Sequence, residues 1–143
     1  MTSEIYFGVS LRLHHPTTSP TDISNVLGRP AEFVGVKGTQ RGSSRGLPAA
    51  TWLENYWCSE FEDGESVEER IRSVVDFLRQ KNAEVSLLLQ TGGRADVYVF
   101  LAPVREFGVE LDVHTLASLA HANVSLGFDV LPSVRTNQRE DGA

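Results

Sequence analysis

Ile5, Phe7, Val9, Leu11 and Leu13 alternate with Glu4, Tyr6, Gly8, Ser10 and Arg12. A period of two predicts a strand with one core face and one open face. His14, His15 and Pro16 end it, and Ser19 reads as the N-cap of a short helix with Pro20 at its first position and Asp22 complementing the dipole. Gly28 closes that helix and Pro30 blocks its continuation. A short strand over 32–36 follows. The same order recurs over 95–131: ADVYVFLA as a strand, LDVHTLASLAHAN as a helix capped by Asp112, and VSLGFDVL as a strand.

Between the two copies, KGTQRGSSRGLP reads as a loop. ATWLENYWCSEF reads as an aromatic strand that makes a hairpin with 32–36. Ser66 and Glu69 form a capping box ahead of a helix over 67–80, whose Val67, Ile71, Val74, Val75 and Leu78 share one stripe. AEVSLLLQ fits either period; Asn82 as a cap and Gly92-Gly93 as a stop favour a second short helix.

Two strand–helix–strand units with a hairpin between them predict an α+β domain over 1–132, a two-layer sandwich with a mixed sheet, helices on one face, and a ferredoxin-like topology or a variant of it. The tail over 133–143 lacks apolar content and reads as disordered.

At 143 residues and 41% hydrophobic content the chain can bury a real core. No apolar run approaches a membrane span, and the first residues do not read as a signal peptide, so the expectation is a cytoplasmic protein with no membrane partner. The net charge of −6 argues against nucleic acid. Charge is segregated: Arg29, Lys37, Arg41 and Arg45 face only Glu32 over 29–48, whereas eight acids face Arg70 and Arg72 over 54–76.

The order of these segments resembles a bacterial family catalogued as domain of unknown function 4279. The resemblance is carried by Leu27 to Pro30 (LGRP), Lys37-Gly38, the strand beginning at Trp52, the amphipathic helix after it, and Gly127 to Val130 (GFDV). It covers the chain to about Leu131 and implies a small bacterial cytoplasmic α+β domain with no activity to carry over; Trp57 stands outside the pattern.

Catalytic signals are sparse. His14 and His15 diverge at a strand end, and His114 and His121 lie two helical turns apart, about 10 Å by helix rise, so neither pair reads as a metal site. Cys58 reads as a packed strand cysteine with nothing nearby to lower its pKa. No phosphate-cradling motif is present, and no cofactor is expected. Lys37, Arg41 and Arg45 form a basic loop able to close on an anion. The open sheet face offers Tyr6, Ser10, Arg12 and Asp129, with Trp52 or Trp57 as a wall and an Arg12–Asp129 pair. The leading expectation is a non-catalytic binding or interaction domain, immunity-like in kind, for another protein. A homodimer face is a further reading. The alternative is a small-molecule binder or hydrolytic enzyme using Arg12, Asp129 and the Arg41/Arg45 loop.

Overall fold

The computed structural model describes residues 5–42 and 50–132. Its elements run β1 (Ile5–His15), α1 (Pro20–Leu27), β2 (Phe33–Gly35), β3 (Asn55–Glu60), α2 (Val67–Gln80), α3 (Asn82–Gln90), β4 (Arg94–Pro103), α4 (Val113–His121) and β5 (Ser125–Val130). The expected tail over 133–143 and the loop tip carrying Arg45 lie outside the described residues.

One mixed sheet has the order β2-β3-β1-β4-β5. β1 is antiparallel to both β3 and β4, β2 is antiparallel to β3, and β4 is parallel to β5. The first four strands therefore make the split βαβ arrangement of ferredoxin-like folds, with α4 and β5 added at the β4 edge. In the second strand–helix–strand unit the two parallel strands are neighbours. In the first, β1 and β2 point the same way but β3 lies between them, because the hairpin partner takes the inner position.

Register places Leu13 between Trp57 and Ala95, and Leu11 between Ser59 and Val97. Apart from the buried Ser59, those side chains, with Val9 and Val99, form one buried cluster with Ile23 and Leu27 of α1, Ile71, Val74 and Leu78 of α2, and Leu119 of α4. The caps that hold the helices follow from the sequence. Ser19, Ser66 and Asp112 accept from the backbone N–H groups of Asp22, Glu69 and Thr115, and Gly28 takes the left-handed conformation at φ 65° that ends α1. Glu69 returns its bond to the N–H of Glu65, one residue before the cap.

Two local expectations are corrected. Asn82 does not cap α3: only Lys81 separates α2 from α3, so Asn82 is already helical and the cap position has no side-chain bond. The outer end of β5 is less buried than its alternation suggests. Val124 is buried, but Phe128 and Val130 are exposed, because β5 is an edge strand and its nine-residue helix does not reach along it.

His14 and His15 face opposite sides of the sheet. His15 is buried, accepting at Nδ1 from the N–H groups of Thr17 and Thr18 at 3.1 and 2.9 Å. Its Nε2 therefore carries the hydrogen and donates to Thr91 Oγ1 at 2.9 Å, tying the end of β1 to the turn before β4. Among the described residues no helix is long and apolar enough to cross a membrane.

Candidate binding site on the open sheet face

With the odd-numbered positions of β1 committed to the core, the even ones and their cross-strand partners form the uncovered face. The register builds it in rows. Phe33, Cys58, Arg12, Asp96 and Ser125 run across all five strands; Glu60, Ser10, Tyr98 and Gly127 form the next row; Gly8, Phe100 and Asp129 the one after. In the opposite direction lie Gly35, Tyr56, His14 and Arg94.

A groove of about 580 Å³ crosses this face, with Gly8, Ser10 and Cys58 among its floor residues and Phe33, Trp52, Tyr56, Tyr98 and Phe100 around them. Trp52 stacks on Tyr56 with ring centroids 5.2 Å apart and planes 10° from parallel. It can lie there because Gly35 has no side chain: a Cβ on Gly35 would sit 2.2 Å from the indole. Phe33 is 60% exposed, an apolar surface left open on the edge strand.

Most polar groups of the face are already engaged with one another. Arg12 makes a side-on pair with Asp96, Nε to Oδ1 at 2.8 Å and Nη2 to Oδ2 at 2.6 Å, and lies 4.2 Å over the Tyr98 ring. The bonds to Asp96 hold the Arg12 pKa above its ordinary value. Tyr98 donates to Asp129 at 2.8 Å, and that bond, then burial, raises the phenol pKa. Burial raises Tyr56 and Cys58, with only partial offset at the thiol by bonds from Tyr56 and Ser10. Burial, and next Arg94, lower His14. Cys58 is therefore a neutral, 5% exposed thiol.

The residues singled out from the sequence divide as follows. Ser10, Arg12 and Trp52 line the groove. Tyr6 and Asp129 share the face at its margins: Tyr6 packs edge-on against Phe100 with centroids 5.4 Å apart, and Asp129 holds Tyr98. The expected Arg12–Asp129 pair does not form, because β4 stands between β1 and β5 and supplies Asp96 directly opposite Arg12. Trp57 is not part of the face. It pairs with Leu13, points to the helices, is fully buried, and donates from Nε1 to Ser24 Oγ at 2.9 Å. The basic loop does not converge on an anion site among the described residues: the Lys37 ammonium donates to the Pro16 carbonyl at 3.3 Å, and Arg41 lies 4.3 Å over Trp52. Arg45 is outside the described residues.

Phe33, Tyr56, Glu60, Asp96, Tyr98 and Phe100 were not singled out from the sequence. A usable signal existed for the last three, since Asp96, Tyr98 and Phe100 alternate with Ala95, Val97, Val99 and Leu101. A second cavity, about 430 Å³ on the helical side, is lined by Arg79, His114, Ser118 and His121. Arg79 there donates to Ser118, and no group of three or more His, Cys, Asp or Glu with metal-holding geometry occurs among the described residues.

The chain matches the model of the family described as Domain of unknown function (DUF4279) over residues 3–133 and belongs to that family. Neither the curated proteins nor the solved structures give a match.

Proposed function

We propose that this family member is a non-catalytic binding domain of the bacterial cytoplasm, whose open sheet face receives another protein. The observation that carries the reading is the groove itself: aromatic walls and an exposed Phe33 around polar groups most of which already satisfy each other. A face of that composition gains from desolvating rings, as protein interfaces do. It offers little to a reacting bond, since Arg12 is neutralised by Asp96, Asp129 is held by Tyr98, and the Cys58 thiol is pushed toward its neutral form. A lone, buried cysteine is at home in a reducing compartment.

The test is quantitative capture from a bacterial extract with three baits: the native chain, Phe33→Ser on the groove, and Leu87→Ser on the exposed side of α3. A protein retained by the native and Leu87→Ser baits and depleted about tenfold from Phe33→Ser supports the reading. If no protein separates the baits in that way, the reading fails. The groove volume also lies in the range of small-molecule sites, which favours a planar ligand as the second reading; equilibrium dialysis of the purified protein against an extract of small metabolites distinguishes the two.

A further inference from the structure

Gly8 sits inside β1, paired there with Phe100 of β4, where glycine weakens the ladder by its backbone freedom. Nothing in the fold demands it. Its φ is not left-handed, and an added Cβ would meet only Phe100 Cδ1 at 3.4 Å, an ordinary contact. What the missing side chain provides is room on the groove floor. Gly8 pairs with Phe100, and Ser10, two residues on, pairs with Glu60 on one side and Tyr98 on the other. The gap over Gly8 and Ser10 thus has a carboxylate on one flank and aromatic rings on the other, all lining the same groove.

Glu60 is the exception to the mutual pairing of this face. Arg12 is paired with Asp96, Arg94 with Glu54, and Asp129 with Tyr98. The Glu60 carboxylate has no hydrogen-bond or ion-pair partner among the described residues; only its backbone is bonded, to Glu32 and Arg29. The charge left uncompensated at the gap is therefore negative. Glu62 and Arg70 line the adjoining groove together with Glu60, and Glu32 accepts the Glu60 N–H. Two cations stand beside Glu60, Arg29 donating to the Glu60 carbonyl and Arg70 lining the adjoining groove, but neither pairs with the Glu60 carboxylate among the described residues. Arg29 bonds Ser59 Oγ and lies over Phe61, and Arg70 bonds the Gly64 carbonyl and lies over Phe7.

We infer that the gap over Gly8 and Ser10 takes a cationic side chain, an arginine or lysine carried by a basic segment of a partner polypeptide. Glu60 supplies the ion pair and Phe100 the ring surface that attracts a desolvated cation, since Arg12 already lies over Tyr98. Glu32 and Glu62, beside Glu60, add to the field that draws a basic segment toward this end of the sheet. The inference rests on the binding-domain reading and adds the chemistry of what is bound.

The test uses the full chain labelled with nitrogen-15 and three blocked tripeptides, Gly-Arg-Gly, Gly-citrulline-Gly and Gly-Phe-Gly. Citrulline keeps the shape of arginine and lacks its charge. The expected result is that the arginine peptide shifts the amides of Gly8, Ser10, Glu60 and Phe100 and binds about tenfold more tightly than the citrulline peptide. Glu60→Gln removes that preference. Gly8→Ala weakens the arginine peptide while the melting temperature holds or rises. Equal affinity for arginine and citrulline, a preference that survives in Glu60→Gln, or groove shifts with the phenylalanine peptide alone would overturn the cation site and leave the binding-domain reading standing. If none of the peptides shifts any groove amide, both fail.

Discussion

The pair between Arg12 and Asp96 decides how the open face is held, and its strength can be worked out. Two charge-assisted bonds at 2.6 and 2.8 Å join side chains that retain 29% and 27% of their exposure. Fully exposed pairs contribute about 0.2–1 kcal/mol, and breaking a fully buried pair costs about 3–5 kcal/mol. With roughly a quarter of each side chain in water, and with the planar fork already oriented by the Tyr98 ring, the coupling falls between these limits at about 1.5 kcal/mol. Asp96→Ala costs more, about 2–3 kcal/mol, because it leaves two guanidinium donors without their acceptors. Arg12→Ala also loses the stem packed on Tyr98. The assay is a double-mutant cycle of Arg12→Ala and Asp96→Ala, followed by urea unfolding so that the denaturant adds no ions. A second cycle pairs Arg12→Ala with Asp129→Ala and should give a smaller coupling, because these side chains meet only through Tyr98, which carries Arg12 on its ring and donates to Asp129. An Arg12–Asp96 coupling below about 0.5 kcal/mol would place the pair with ordinary solvated ones. A larger value in the Asp129 cycle than in the Asp96 cycle would refute Asp96 as the partner of Arg12.

Further expectations follow from other parts of the fold. Ile71 is fully buried between α2 and the sheet, so Ile71→Ala should destabilise by about 2–5 kcal/mol in thermal or urea unfolding, and a change under about 1 kcal/mol contradicts its core position. His14 is held below its ordinary pKa by burial and then Arg94, so the unfolded chain takes up the proton first. Stability is then complete above the unfolded value of 6.5 and declines as pH falls through it; His14→Gln should flatten the decline between about pH 7 and 5, and an unchanged slope counts against it. Cys58 should react slowly with an aromatic disulfide reagent in the folded state and fast in urea, since its thiol is buried with a raised pKa; equal rates would place it at the surface.

What the chain discloses about itself depends on whether a signal is local. The parity of IYFGVSLRL and of ADVYVFLA is written residue by residue, so the two faces of β1 and β4 are legible without a structure. The caps at Ser19, Ser66 and Asp112 are legible for the same reason. Alternation assigns a face but not a neighbour. Nothing local says that β3 enters between β1 and β2 or that β4 separates β1 from β5, and so the partner of Arg12 could not be read. In β3 even the face was hidden: Trp57 and Cys58 are adjacent and both apolar, so hydrophobicity does not say which of them turns inward. The register against Leu13 settles it and leaves Tyr56, Cys58 and Glu60 outward. Phe33 belongs to a three-residue strand, too short for any period to show.

The opposed placement of the two tryptophans gives the molecule two separate optical reporters. Trp57 is sealed among aliphatic side chains with its indole nitrogen bonded to Ser24, so its emission should lie to the blue and resist collisional quenchers until the fold is lost. Trp52 lies at the groove, half-covered between the Arg41 guanidinium and the Tyr56 ring, where a quencher can reach it in the native state. Its emission should respond to occupancy of the open face while that of Trp57 stays constant. One chain, excited at one wavelength, then separates the integrity of the core from the state of the surface without any attached dye.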